Sequence, residues 1–559
     1  MSKPNDIGSY ITSLFSSKPS AAHDSKKTKQ TKKKTNSEVS SRNATTSLSN
    51  QQESTSDNNA MMDDDNYHSV NNHNNNNGST TSPNRHRSKK VVLMTSLEQA
   101  RTANSLVDWK DRTNQGKILL EFGNSEIETL PSIDSEVKIV KPTKSGSVKY
   151  MYDKLHKQSN VLLDRLEEVG SKILEYYGFE SSKPLNYYSD QTEIYIGRIL
   201  SETVGGDDQL NSSSILLEGL ANAETSDCKI VKLNFEKFSL ESSKAQTLFP
   251  GQIVAVKGLM TVQFLRVEKI YTGAPLLHKS LSAEETHKTT DKTKADKSKL
   301  KIMAACGPFT LRHNILYNPL KDLVTLVDTI EPNVLILIGP FLSDDNALVN
   351  SGFLEETFDE VFEERVLERL RSIETNCKVI LIPSLKDVNS DFVFPQPPLD
   401  ISDNKIQSFS NPCTFTVSSS SGDVKIGVTS IDVIKDIKEK EYTFGYVEDQ
   451  TQHLYKTVLE QGYYYPRMLP TEDVPLDYSL AHGTKTSLKI EDSPDLLILP
   501  SDQSSQFCTV IDQTLVINPT RLCCNENRKE GSYAIIEIVA NDTSSLPLDK
   551  RMHVQIVNI

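Results

Sequence analysis

Residues able to do chemistry in this chain sit where apolar runs stop. "KLKIMAAC" ends at Cys306, before Gly307 and Pro308, and "NVLILIG" ends at Gly339, before Pro340, Ser343, Asp344 and Asp345. "CKVILIP" leads into Leu385, Lys386 and Asp387, and "PDLLILP" leads into Ser501 and Gln503. Carboxylates and imidazoles at several such ends could hold two metal ions close together, activate water and clamp a phosphoester. That chemistry needs Asp-x-His, Gly-Asp-x-x-Asp, Gly-Asn-His, a lone His and Gly-His-x-His at successive ends. The chain instead has Cys306-Gly307-Pro308 first, then Pro340 and Ser343 for the two aspartates. Leu385 and Lys386 stand for Asn-His, and Ser501 and Gln503 for the last two histidines. From residue 299 onward there are four histidines, His313, His453, His482 and His553, and no two form an H-x-H pair. Lys386 adds positive charge where cations would have to sit. Neither a metal set nor a cofactor is therefore expected. No Gly-x-Ser-x-Gly elbow or phosphate-binding loop replaces it. Cys306 reads as a buried structural thiol. His453 falls inside an apolar helical pattern and reads as a packing residue.

These ends must be positioned by a framework, and residues 299–559 supply one. Eight strand-like runs, from "KLKIMAAC" to "HVQIVNI", alternate at first with two helical patterns, "LKDLVTLVDTIE" and "LEETFDEVFEERVLERLRSI". Apolar runs joined by helices predict an α/β domain with sheets covered on both faces. Ligands of such sheets collect beyond the carboxyl ends of the strands. A calcineurin-like metallophosphoesterase sandwich is the frame expected here, with its metal chemistry missing.

Upstream the period changes to two. "TEIYIGRIL", "SSSILLEGL", "CKIVKLNF", "QIVAVKGL" and "QFLRVEKIY" are short β runs within 186–277, which suits an OB-fold barrel. The runs carry few aromatics and no concentration of basic residues, so a structural or protein-docking barrel is favoured over a single-strand binder. Residues 151–180 read as an amphipathic helix with Gly178 placed as its C-cap. Residues 109–150 read as an extended linker, and 278–298 as a charged linker or insertion.

Residues 1–108 read as a disordered, low-complexity tail, as in "NNHNNNNGSTTSPN". Lys32, Lys33 and Lys34, with Lys89 and Lys90, are candidate nuclear-import clusters, and Ser82 in "SPNR" is a candidate proline-directed phosphorylation site. "IGSYITSLF" spaces Ile11, Leu14 and Phe15 like a degenerate clamp-binding peptide but lacks its glutamine, and a local helix is the simpler reading. The formal charge of −13 disfavours a protein whose main task is gripping phosphates. Seven scattered cysteines without a CxxC pair argue for reduced thiols and against a zinc ribbon.

Several words in one order carry a resemblance. They are "DRTNQGK", "LFPGQIVAVKG", "LIGPFLSDDN", "IPSLKDV" with "VFPQPP", "GVTSIDV", "YYYPRMLP", "PDLLILPSD", "VINPTRL" and "VQIVNI", from about residue 109 to the C-terminus. The chain resembles the B (regulatory, second-largest) subunits of the DNA polymerase alpha–primase complex. The resemblance implies a non-catalytic nuclear scaffold in DNA replication. Its partners would be the C-terminal zinc-bearing region of the polymerase catalytic subunit and, through the complex, the primase subunits. Contact with DNA would be mainly indirect, and no membrane is involved. Tyr463, Tyr464 and Tyr465 are either docking anchors or core rings. Members of that family usually begin with a small helical domain, and residues 1–90 do not read as one. Three alternatives stay open: the B subunit of polymerase delta or epsilon, a single-strand-binding module, and a phosphoesterase with an unusual metal set.

Overall fold

The computed structural model describes Trp109 and residues 112–559, apart from 134–135, 141–148, 203–208, 223–226, 241–244, 278–297, 353, 421, 469, 481–487, 524–530 and 540–546. The expected tail at 1–108 lies outside the described residues. So do Ser82, the lysine clusters, the clamp-like peptide, His482 and nearly all of the 278–298 spacer.

The chain enters through two strands, β1 (Ile118–Gly123) and β2 (Lys138–Val140), then helix α1 (Leu155–Tyr177). Next come β3 (Glu193–Ser201), β4 (Ile215–Asn222), β5 (Asp227–Asn234), β6 (Gln246–Leu248), β7 (Ile253–Met260) and β8 (Phe264–Tyr271). The remainder opens with β9 (Leu300–Cys306), α2 (Asn318–Ile330), β10 (Val334–Ile338) and α3 (Ala347–Ser351). A helical stretch follows as α4 (Phe358–Val361), a π-helical turn (Phe362–Leu367) and α5 (Glu368–Arg371). Then come β11 (Lys378–Ile382), β12 (Ile406–Ser408), β13 (Cys413–Ser419), β14 (Gly422–Val428), α6 (Val433–Lys438), β15 (Tyr442–Phe444) and α7 (Gln450–Gln461). The last strands are β16 (Leu496–Ile498), β17 (Phe507–Ile511), β18 (Thr514–Asn518), β19 (Ser532–Ile538) and β20 (Met552–Asn558).

Two large sheets form, ordered β1-β20-β19-β9-β10-β11-β12 and β17-β18-β16-β14-β13-β2. Strands β9 to β12 are mutually parallel, as are β14, β16 and β18. Alternation decides which side chains meet, because successive strand residues face opposite ways. Ile302, Ala304, Ile336 and Ile380 point from the first sheet toward Phe415, Ile426, Ile498 and Ile517 of the second, and the two inner faces share one core. The opposite face of the first sheet is covered by α2, α4 and the π turn, through Leu323, Val327, Val361 and Val366. The opposite face of the second is covered by α6, α7 and α1, through Ile437, Val458 and Ile173. The order of layers is helix, sheet, sheet, helix.

Strands β3-β4-β5-β8-β7 close into a five-stranded barrel. Tyr195, Ile199, Leu217, Val231, Val256 and Val267 fill its interior. Its outer residues Ile253, Ala255 and Tyr271 pack with α1 against the second sheet's helical layer. Helix α1 ends at Gly178, whose φ of 72° and N–H bonds to the Leu174 and Glu175 carbonyls make the left-handed cap that a glycine favours.

The stretch 109–150, read from sequence as a linker, is a correction. Its β1 pairs antiparallel with β20, and its β2 with β13. Both are edge strands, short and half exposed, so their alternation is too brief to stand out in sequence. The barrel is consequently inserted between the first two strands of the sandwich and the rest, and the α/β part does not begin at 299.

Candidate functional site

The carboxyl ends of β9, β10 and β11 meet those of β14, β16 and β18 at one edge of the sandwich. An isolated bridge joins Cys306 to Arg521, and another joins Ser343 to Asp387. The turns after β9 and β10 are packed backbone to backbone. A Cβ on Gly307 would lie 2.1 Å from the Pro340 carbonyl oxygen, and one on Gly339 would lie 2.4 Å from Asp387 Oδ2. No side chain fits either position.

Asp387 is the carboxylate at the centre. Its Oδ1 accepts the N–H groups of Phe341 and Leu342, and its Oδ2 accepts that of Ser384 at 2.9 Å. Burial raises its pKa to about 7, against the opposing pull of those three donors. The group is spent on fixing the turn after β10 to the turn after β11.

Arg521, just beyond β18, fills the gap between the two sheets' ends. Its Nε and one terminal nitrogen donate to Asp502 at 2.8 and 3.2 Å, and its other terminal nitrogen lies 3.1 Å from Cys306 Sγ. Burial alone would disfavour its charge, but Cys306 and Asp502 raise its pKa above the ordinary arginine value. Asp502 is held below the usual carboxylate range: burial would lift it, and Arg521 outweighs burial. The Cys306 thiol is pushed up by burial, which removes it as a nucleophile.

The polar residues on the second sheet's side also bond one another. Asn411 gives its Nδ2 to Ser430 Oγ at 2.7 Å and accepts from Thr429 Oγ1 at 2.9 Å. Asn518 Oδ1 accepts the Ser501 N–H at 3.1 Å, and Asp432 Oδ2 accepts the Asp502 N–H at 2.8 Å. Among the described residues no three His, Cys, Asp or Glu side chains converge as a possible metal set.

The residues singled out from sequence land as follows. Pro340 is buried in the turn, and Ser343 sits at the rim with its Oγ 3.3 Å from Asp344 Oδ1. Lys386 and Gln503 are exposed, and Ser501 is buried with its Oγ accepting the Gln503 N–H at 3.2 Å. Lys386 lies close enough to Asp344 and Asp502 to favour their charged forms. Leu385 turns away and packs into the core outside the second sheet. His453 is on α7, where burial lowers its pKa. Tyr463, Tyr464 and Tyr465 are all buried, so they are core rings rather than anchors. Tyr464 donates to the Cys413 carbonyl at 3.0 Å, and Tyr465 to Asp436 Oδ2 at 2.9 Å. Arg521, Asp502 and Asn518 went unremarked in sequence. Their only signal was membership of "PDLLILPSD" and "VINPTRL", since spacing alone cannot show an arginine crossing between sheets.

A two-sheet α/β sandwich with an inserted OB barrel, whose strand ends are closed by the chain's own bonds, is the class of protein seen. The family model for the B subunits of DNA polymerases alpha and epsilon matches residues 302–509, and the model for the OB domain of the DNA polymerase alpha B subunit matches 159–273. The chain is 30% identical over 431 residues to the DNA polymerase alpha B subunit of Mus musculus, covering 74% of this chain and 67% of the relative. It is 29% identical over 443 residues to that of Schizosaccharomyces pombe, covering 75% and 74%, and 25% identical over 497 residues to that of Saccharomyces cerevisiae, covering 77% and 67%. The chain belongs to the family of DNA polymerase alpha B subunits, a family of DNA replication.

Proposed function

We propose that the chain is a non-catalytic scaffold that holds the C-terminal, zinc-bearing region of the polymerase alpha catalytic subunit and, through it, the primase subunits. It works in the nucleus, and its part in primer synthesis and handoff is to keep the two enzymes in one assembly. The two-sheet part is read as a calcineurin-like phosphoesterase frame put to this use. The observation that carries the reading is the occupancy of the strand ends. Asp387, Arg521 and Asp502 stand where a hydrolase would keep open ligands, and each is consumed by an intrachain bond. An obligate interface for such a partner would bury roughly 2,000 Å² or more.

The test is co-expression of the full chain with the C-terminal region of the catalytic subunit, followed by size-exclusion chromatography with metal analysis. A stoichiometric complex whose zinc all belongs to the partner is expected. Absence of a complex, together with two metals bound by this chain alone, would overturn the reading.

A further inference from the structure

The chain enters α1 through a short turn that displays apolar side chains instead of hiding them. Met151 has a φ of 53°, in the left-handed region that a residue with a side chain seldom adopts. Its N–H donates to Asp477 Oδ2 at 2.7 Å, which holds the turn in that shape. The strained residue gains no burial from it: Met151 is 74% exposed, and Tyr152 beside it is 73% exposed. Leu155, the first residue of α1, is 49% exposed. A strained backbone that presents its own side chains to water calls for a use outside the fold.

A second segment brings one more ring to the same surface. Phe394 bridges to Leu476 and exchanges backbone bonds with Pro475 and Asp477, so residues 391–394 run beside Asp477. Burial pushes the Tyr150 phenol up to about 12, and Asp391 and Asp477 add to the rise, which sets both carboxylates near that ring. Phe392, next to Asp391, is 61% exposed. Met151, Tyr152, Leu155 and Phe392 together open on the order of 400 Å² of surface around Asp477, as much as the largest apolar patch of an ordinary monomer. The rim is basic. Lys149 reaches only the Tyr152 ring, 5.0 Å from its centre, and Asp153 is taken by Lys157 at 2.7 Å. Lys154, exposed at the N-cap of α1, makes no cap bond and no ion pair among the described residues.

We infer that this surface docks a short amphipathic segment of a partner protein, one that carries carboxylates beside two or three apolar side chains. Area and charge choose that occupant. A second copy or a folded partner needs roughly 800 Å² from each side for a stable contact, about twice what is open here. The chain supplies no carboxylate to Lys154 or Lys149, and acidic residues next to apolar ones match the rim and the patch at once. A membrane or a nucleic acid would also meet the lysines, but either brings an extended anionic surface to a chain of net −13. A segment with a few carboxylates meets only the local rim. The turn is fixed before anything binds, so little ordering cost falls on this side. The inference stands apart from the scaffold reading and needs no catalytic subunit.

The experiment selects random dodecapeptides displayed on phage against the full chain, then measures the enriched peptides, synthesised and labelled, by fluorescence anisotropy over a salt series. Enriched peptides should pair at least two carboxylates with an aromatic or long aliphatic side chain. Met151→Gly with Phe392→Ala should weaken their binding about tenfold or more. Glycine suits the left-handed φ, so this variant should melt no lower than the parent. Lys149→Gln with Lys154→Gln should weaken binding about tenfold and remove most of its salt dependence, while the Lys→Arg pair should bind as the parent does. Enrichment of neutral or basic peptides, no enrichment, or binding indifferent to both pairs of substitutions overturns the inference. Sedimentation of the parent with phosphatidylcholine vesicles containing phosphatidylserine, lost in the same variants, also overturns it and gives the surface to a membrane.

Discussion

Asp387 shows how a single buried carboxylate can fasten two turns together. It is fully buried, it accepts three backbone N–H groups, and its pKa is raised to about 7 by burial. The unfolded chain loses that proton near the ordinary value of 3.8. Between about 4 and 7 the folded state therefore holds a proton that the unfolded state has released, and folding takes one up. Stability falls as pH rises through that window and levels off above it. Asp387→Asn keeps one acceptor oxygen, sets an NH₂ against a backbone donor and abolishes the proton uptake. Its cost should be larger at pH 5 than at pH 8, as measured by urea midpoints at the two pH values. Arg521 gives a second prediction of the same kind. Arg521→Ala leaves the half-exposed Asp502 to water and Cys306 facing a void, at a cost of about 1 kcal/mol in urea unfolding. A group that was merely a vestige on the surface would cost nothing. Both residues explain the limits of reading the site from sequence. That Pro340, Ser343, Leu385, Lys386, Ser501 and Gln503 are not metal-binding residue types could be read directly. The bonds that close these strand ends could not, because Arg521 reaches Asp502 and Cys306 only after two sheets are stacked.

At the scale of elements, the long and regular pieces were legible and the short edges were not. The apolar runs at Leu300–Cys306, Val334–Ile338 and Lys378–Ile382 are strands because runs of buried β-branched and aliphatic residues suit a sheet covered on both faces. Lys138–Val140 and Ile406–Ser408 are three-residue strands, too short for any period to show. The segment ahead of β1 is fixed by a clasp of the same hidden kind. Trp109 is 6% exposed, donates from Nε1 to Asp322 Oδ2 at 2.8 Å and lies under Arg112, whose guanidinium carbon is 3.6 Å from the ring centre. Arg112 itself bonds Asp322 at 2.6 Å. The clasp seats the arm on α2, and β1 then zips onto β20. Trp109→Ala removes a large ring from that core and should cost about 3–5 kcal/mol. The same change should open the arm, so limited proteolysis should cut between 109 and 117 in the variant and spare the parent. Equal resistance of the two proteins would show that β1 holds the arm without help.

The whole molecule poses the question of whether the inserted barrel is an independent unit. Its boundary is polar yet buried. The Gln461 carboxamide, at the end of α7, accepts the Ile253 N–H at 2.9 Å and donates to the Ile253 and Thr272 carbonyls at 2.9 and 2.7 Å. One side chain thus closes three backbone groups of β7 and the β8 end. Strand β6 pairs with β15 from the sandwich, and Arg198 of β3 donates to the Leu162 carbonyl of α1 at 2.6 Å. Ile253, Ala255 and Tyr271 would all face water if the barrel stood alone. The described part should therefore unfold in a single transition, and a fragment limited to 186–277 should be poorly soluble. Gln461→Leu is the sharpest probe of this. It conserves volume but leaves a buried N–H and two buried carbonyls unpaired, each costing about 1–3 kcal/mol. The loss falls on the seam and not on either core. Calorimetry of the variant should therefore show two transitions, with the barrel melting first, where the parent shows one. A single transition merely shifted to lower temperature would mean that the apolar contacts of α1 and α7 couple the barrel to the sandwich by themselves. The molecule would then owe its rigidity to packing, with the carboxamide only sealing the seam.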